Sequence, residues 1–275
     1  MPIVTQEATA STFSLLACPV CGRPLAKSSK SLICPNHHNF DIARQGYVNL
    51  LRRKPDTLYE NKALFAARRA VYEAGFFDPM LAALADWLPG GELLDAGCGE
   101  GSLLNRLCGA GRSGVGMDIA RPAVQMAAAA FPHLTWCVAD LCAPPLQDGA
   151  VGAVLNVLTP ANYTAFARVL APGGALLKVI PGADHLREIR ALAGKAEKAQ
   201  EAEQVLRGFD RHFVRTDTLP LRYEVACNAA LAAQVYAMTP LTVHTGAPLE
   251  FFAMRVTVDV VVVRGVTLGL CPRPR

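Results

Sequence analysis

The chain has no uninterrupted apolar run approaching the roughly 20 residues that a membrane helix needs, and residues 256–263 are too short to span and read as a strand. The first 16 residues have neither a basic start nor a long apolar centre, which argues against an export signal. Nine cysteines are present, but Cys98, Cys108, Cys137, Cys142, Cys227 and Cys271 show no paired spacing. That argues against a disulfide framework and suits a reducing, cytoplasmic setting. No Gly-Lys-Ser/Thr follows the glycines at 97–101, so a P-loop is excluded. What the chain does have is 275 residues, 52% of them hydrophobic, and a net charge of +4. Such a length holds one large domain plus a small one. The positive balance permits nucleic-acid binding without requiring it.

The most informative stretch is Leu93-Leu94-Asp95-Ala96-Gly97-Cys98-Gly99-Glu100-Gly101. Two apolar residues end a strand, an acid follows, and a glycine occupies every second position. Such a turn lets a cofactor lie against bare backbone at the carboxyl end of a parallel strand. The next helix then points its unpaired N–H groups at the ligand. Several nucleotide folds use glycine-rich turns, and the carboxylates discriminate among them. A pyrophosphate site keeps its turn free of acids, whereas Asp95 and Glu100 suit the zwitterionic methionine end and sulfonium of S-adenosylmethionine. An ordinary strand-to-helix turn is the plain alternative.

Ser113-Gly-Val-Gly-Met-Asp118 reads as a second strand ending in an acid, whose two acceptor oxygens can take both ribose hydroxyls. Thr135-Trp-Cys-Val-Ala-Asp140 is a third, with Asp140 where an adenine rests. Residues 153–160 form a fourth, and residues 168–178 turn sharply into a fifth. Each is a short, nearly continuous apolar run, as strands covered on both faces are. Helical stretches such as residues 122–131 lie between them. The alternation predicts an α/β fold, a Rossmann-like doubly wound sheet of the class I methyltransferase type, with its ligand at the carboxyl edge. Any one of these acids, taken singly, reads more readily as a helix cap.

Near the amino terminus, Cys18-Pro-Val-Cys21 is followed by Cys34-Pro-Asn-His37-His38. Two ligand pairs separated by a short hairpin are what a tetrahedral zinc site requires. The fourth ligand is His37 or His38, of which His38 has the roomier spacing. A Cys-x-x-Cys pair alone would also fit a redox motif, but the downstream thiolate and imidazole argue for zinc.

Arg44, Arg52, Arg53, Lys54, Lys62, Arg68 and Arg69 cluster between this segment and the first nucleotide-binding strand, with Tyr47, Tyr59, Asn39, Asn49 and Asn61 among them. Basic groups neutralise phosphates and aromatic faces stack on unpaired bases, so RNA contact is expected, with Arg52, Arg53, Lys54, Arg68 and Arg69 as its core. A solvated linker and helix face is the bland alternative. Residues 193–215 are a second mixed-charge stretch, expected to be a solvated helix with a loop.

Taken in order, Cys18-Pro-Val-Cys21, Cys34-Pro-Asn-His-His38-Asn-Phe-Asp41 and Gly46-Tyr-Val-Asn-Leu-Leu51 resemble the bacterial large-subunit rRNA guanine-N1 methyltransferases of the RlmA type. Ala67-Arg-Arg69 with Ala74-Gly75, the 95–101 turn, Ala171-Pro-Gly-Gly174, Pro181-Gly-Ala-Asp-His185-Leu and Met238-Thr-Pro240 extend the resemblance from Cys18 to about residue 263. The glycine turn is common to many methyltransferases, while the Cys/His and Tyr-Val-Asn-Leu-Leu segments are specific. The resemblance implies His38 as the fourth zinc ligand, and cofactor contacts from His185, the Gly99-Glu100 turn and Phe77. Relatives often carry Tyr at the last position, so the hydroxyl is lost here. It further implies methyl transfer from S-adenosylmethionine to N1 of a guanine in a domain II hairpin of 23S rRNA, and a homodimer. Residues 54–59 and 156–163 lean toward the tylosin-resistance-type subgroup.

On this reading, residues 1–17 are an extra segment, 18–50 a zinc-binding RNA-recognition domain, 51–90 a basic helical linker, 91–265 the transferase domain and 266–275 a tail. Cofactor-binding residues are Phe77, Asp95, Gly97, Gly99, Glu100, Gly101, Asp118, Asp140 and His185. The target base must leave its stack to reach the methyl donor, and its N1 must lose a proton. Asp140 and Asn156 fall at edges of the pocket, and no general base is assigned. Two rivals stand beside this reading: a small-molecule methyltransferase whose zinc module serves folding, and a non-catalytic RNA-binding protein.

Overall fold

The computed structural model describes residues 12–53, 61–109, 111–194, 201–239 and 250–267. A 3-10 turn (Thr12–Leu15) leads into β1 (Ala26–Ser28), β2 (Ser31–Ile33) and β3 (Asn39–Asp41), a small antiparallel sheet. There follow β4 (Val48–Asn49), α1 (Lys62–Glu73) and α2 (Asp78–Trp87). Strand and helix then alternate through β5 (Leu93–Ala96), α3 (Ser102–Cys108), β6 (Gly114–Asp118), α4 (Arg121–Ala130) and β7 (Thr135–Val138). The second half comprises β8 (Val151–Val157), α5 (Tyr163–Val169), β9 (Leu170–Pro181), α6 (Arg187–Leu192) and α7 (Glu201–Asp210). It closes with β10 (Phe213–Cys227), α8 (Ala229–Ala237) and β11 (Met254–Thr267).

The large sheet runs β10-β11-β9-β8-β5-β6-β7-β4. Its members from β9 to β4 are parallel, and β11 enters antiparallel between β9 and β10. The doubly wound α/β sheet is therefore present, with an antiparallel pair at one edge. Strand order reverses at β5, between β8 and β6, so the glycine turn leaves the sheet at its switch point.

The apolar runs read as strands are buried without interruption in β5 and β7, because helices cover both faces. Asn61, Asn162 and Asn228 cap α1, α5 and α8, each side chain accepting the N–H three residues on. Trp136, fully buried, fills the space under the glycine turn, and a methyl group on Gly101 would lie 2.6 Å from its ring.

Three expectations need revision. From residue 61 on, the 51–90 segment is not a linker: Val71, Phe76, Met80 and Leu84 are fully buried, and α1 and α2 form part of the transferase core. The division at residue 50 does not separate two sheets: β4, inside the 18–50 segment, pairs in parallel with β7 as the edge strand of the large sheet. Leu16, assigned to the extra segment, bridges Leu146 and is fully buried. Lys54, Tyr59, Cys271 and the tail beyond residue 267 lie outside the described residues. Among the described residues no helix is long and apolar enough to cross a membrane.

Candidate functional site

The metal centre forms where two short backbone turns meet. Cys18 and Cys21 precede β1, and Cys34 and His38 flank the turn from β2 to β3. His37 takes the left-handed backbone position in that turn (φ 59°), which leaves His38 to face the thiols. The three sulfurs and His38 Nδ1 lie within 4.8 Å of one another. Cys18 and Cys34 Sγ are 3.4 and 3.3 Å from His38 Nδ1, and the Cys21 and Cys34 sulfurs are 3.7 Å apart. Tetrahedral zinc with Zn–S of about 2.3 Å sets neighbouring sulfurs about 3.8 Å apart, so these four donors fit the ion as they stand.

The Tyr-Val-Asn-Leu-Leu segment fastens this module to the sheet. Tyr47 is buried, and its hydroxyl accepts hydrogen bonds from Arg121 Nε (3.0 Å) and Gln125 Nε2 (3.1 Å) on α4. Val48 and Asn49 form β4, and Leu50 N–H donates to Val138 O. Tyr47 is thus a docking residue and presents no ring for stacking on RNA.

At the glycine turn, Asp95 is almost wholly buried, and its Oδ2 has no hydrogen-bond partner among the described residues. Burial, with Asp118 and Glu100 nearby, pushes its carboxyl well above the usual range. A buried acceptor with nothing to accept from fits a ligand that brings a cation or an N–H. Gly97 has φ 94°, and a methyl group there would fall 2.7 Å from Thr159 Cγ2. Asp118 ends β6; its Oδ2 accepts Gly99 N–H and its Oδ1 accepts Ala120 N–H, both at 2.8 Å. Burial raises its carboxyl too, opposed by those two N–H bonds. Carboxylates placed at the carboxyl ends of neighbouring parallel strands, with backbone bared between them, match the cationic and hydroxyl groups of S-adenosylmethionine.

The remaining expected residues divide. Glu100 is buried, but its carboxylate is committed to Arg69 Nε (2.9 Å) and Ser102 Oγ (2.8 Å). Asp140 is exposed beyond β7, and its Oδ1 accepts Cys142 N–H in a local turn. Phe77 is buried with its ring 5.0 Å from that of Tyr72. His185 follows β9, and its Nδ1 accepts Asp259 N–H on β11 at 3.4 Å. Burial lowers the imidazole to about 4. β9 and β8 lie between β11 and β5 in the sheet, so this hydrogen bond turns His185 toward the antiparallel edge.

Of the residues read as RNA contacts, Arg52 and Arg53 are exposed, as are Arg23, Lys27, Lys30 and Arg44 on the zinc module. Arg68 and Arg69 are not on that surface. Arg69 pairs with Glu100, donates to Glu100 O and Met126 O, and stacks on Phe131. Arg68 stacks on Phe65, donates to Met238 O, and stands 3.2 Å from where a methyl group on Gly99 would be. Two residues of the cleft escaped the sequence reading. Tyr72 is buried within electrostatic reach of Asp95 and Glu100, which together with burial raise its hydroxyl. Lys178 is buried on β9, beside Asn156.

Residues 16–53 match the family described as RlmA, N-terminal, and residues 93–174 match a methyltransferase domain. The 23S rRNA (guanine(748)-N(1))-methyltransferase of Streptomyces fradiae is 36% identical over 240 residues, covering 83% of this chain and 86% of the relative. Proteins of Bacillus subtilis and Micromonospora griseorubida named for 23S rRNA guanine-N1 methylation are each 36% identical as well. They cover 83% and 84% of this chain and 87% of each relative. Among solved structures, the protein studied for conversion of a disulfide bond into a thioacetal group during echinomycin biosynthesis has TM-score 0.52 at 18% identity, covering 69% of this chain and 81% of that one. A Pyrococcus horikoshii protein has TM-score 0.50 at 13% identity, covering 71% and 91%. Both speak to the fold alone.

Proposed function

This chain belongs to the 23S rRNA (guanine-N1)-methyltransferase family, and we propose that it transfers a methyl group from S-adenosylmethionine to N1 of a guanine in a domain II hairpin of 23S rRNA. The observation that carries this reading is the docking of the zinc module on the transferase sheet through Tyr47 and β4, beside exposed Arg52 and Arg53. A module used only for folding has no need of a basic surface fixed in register with the cofactor cleft.

When bound, the cofactor supplies an electrophilic methyl group on a sulfonium. Asp95 holds the methionine ammonium, and Asp118 holds the ribose hydroxyls with the acceptor capacity left by Gly99 and Ala120. Ile119 and Leu158, exposed apolar residues directly after β6 and β8, offer contact for the two purine rings, the cofactor's and the substrate's. Displacement at the methyl carbon needs the acceptor nitrogen in line, so the chain's main task is to hold guanine N1 there as its proton leaves. Cys18, Cys21, Cys34 and His38 would hold the zinc, which would fix the surface that grips the RNA. The family resemblance also implies a homodimer, which sedimentation equilibrium tests.

The test is methyl transfer from isotopically labelled S-adenosylmethionine to unmodified 23S rRNA and to a set of low-molecular-weight acceptors. Label in rRNA that falls steeply with salt is expected. Label confined to small acceptors would favour the metabolite methyltransferase, and no cofactor binding would favour the non-catalytic protein.

A further inference from the structure

We propose that Lys178 is a positioning residue for methyl transfer, holding the turn between β8 and α5 against the glycine turn from inside the sheet. The inference rests on the transferase reading of the cleft. Lys178 is 4% exposed and stands in register with Asn156 on β8 and Val263 on β11. Its Nζ donates to Asn156 Oδ1 at 2.5 Å and to the Thr159 carbonyl. Asn156 is fully buried, and its Nδ2 donates to Ala96 O and Pro160 O, both at 3.1 Å. Thr159 in turn sits over Gly97. One amine therefore ties the turn after β8 to the end of β5, where the cofactor turn begins.

Two further observations require such a tie. Among the described residues no carboxylate pairs with Lys178, and burial alone lowers its amine to about 8. A cation buried among dipoles is a poor way to stabilise a sheet, and an apolar residue of similar volume would serve better. Leu158, next to Thr159, is a non-glycine residue in the left-handed region (φ 54°) and is 37% exposed. Backbone held in that region persists only where its surroundings enforce it. Lys178 and Asn156 grip Thr159 and Pro160, the two residues that follow this position. With so little exposed surface, the amine acts through the turn and does not itself touch the guanine.

Lys178→Met removes the donors and keeps the volume; Lys178→Gln keeps an N–H donor without the charge. Thr159→Gly loosens the same turn without altering the buried amine. Each is measured for kcat and KM on rRNA, for S-adenosylmethionine affinity by calorimetry, and for amide exchange at residues 156–162. Lys178→Met is expected to lose kcat by roughly 10- to 100-fold, to keep its cofactor affinity within about threefold, and to exchange faster at residues 158–160. Lys178→Gln should recover most of both losses, and Thr159→Gly should reproduce the kcat loss. Wild-type kcat and exchange in Lys178→Met would overturn the proposal. So would equal loss of kcat and cofactor affinity in Met and Gln, the mark of a purely structural cation. If Lys178→Met fails to fold, the Gln and Gly variants carry the same test. Calorimetry and exchange need no RNA, so a wild-type protein inert toward rRNA would refute the substrate reading while still testing the tie.

Discussion

Arg69 Nε lies 2.9 Å from Glu100 Oε2, and the carboxylate is buried while the guanidinium is mostly so. This pair takes a basic residue expected to face RNA and a carboxylate expected to face the cofactor, and joins them across α1 and the glycine turn. Among the described residues, removing the arginine leaves the carboxylate with Ser102 alone. Arg69→Met should destabilise folding by about 3–5 kcal/mol, the cost of stranding a buried charge. Chemical denaturation measures it. RNA affinity of the folded fraction should change little.

Arg52→Ala and Arg53→Ala should do the reverse. Both side chains are exposed, so stability should move by less than about 0.5 kcal/mol. Each lost phosphate contact should lower the slope of log affinity against log salt by about 0.7 on single-stranded RNA. Filter binding across a salt series, with cofactor affinity as control, separates the two arginine pairs.

Zinc removal should act on RNA before it acts on the cofactor. Cys18→Ser or chelation removes a ligand from the four-donor cluster, and the binding energy of structural zinc is folding energy. Metal analysis should fall from one zinc per chain toward none, with RNA binding lost. Calorimetry should still detect S-adenosylmethionine, because β5, β6 and their acids lie outside the module.

How far the site was legible follows from how local each signal is. The three zinc-binding cysteines and the two candidate histidines fall in two closely spaced groups, and the strands are continuous apolar runs, so both could be read directly, the choice of His38 coming from the resemblance. The places of Tyr47, Arg68 and Arg69 depend on what the glycine turn, α4 and α8 bring from 31 to 170 residues away, and no spacing records that. Val48–Asn49 is too short to announce itself as a strand. Lys178 did leave a signal: a single lysine inside Leu-Leu-Lys-Val-Ile, on a strand covered on both faces, has to be buried. Phe77 supplies no hydroxyl, but Tyr72 in contact with it does, and only the fold brings the two rings together.

The pH dependence of cofactor binding follows from Asp95. Its folded-state carboxyl lies above the ordinary value because of burial and two neighbouring acids. The folded chain therefore holds that proton more tightly than the unfolded chain. Its contribution to stability is full below the unfolded value and is lost as pH rises through the folded one. A cationic ligand favours the ionised form, so binding should expel a proton and tighten as pH rises through the folded value, then level off. Calorimetry in buffers of different ionisation heat counts that proton. Asp95→Asn should bind more weakly and with no such release.

The central claim is that this protein methylates N1 of a guanine in 23S rRNA. A methyl group at N1 blocks the pairing edge and halts reverse transcriptase, so primer extension across domain II reads it directly. Ribosomal RNA from cells with the protein should give a stop beside one hairpin guanine. That stop should vanish when the gene is deleted, and return with the wild-type chain but not with Asp95→Asn. An unchanged pattern of stops with and without the gene would contradict the account.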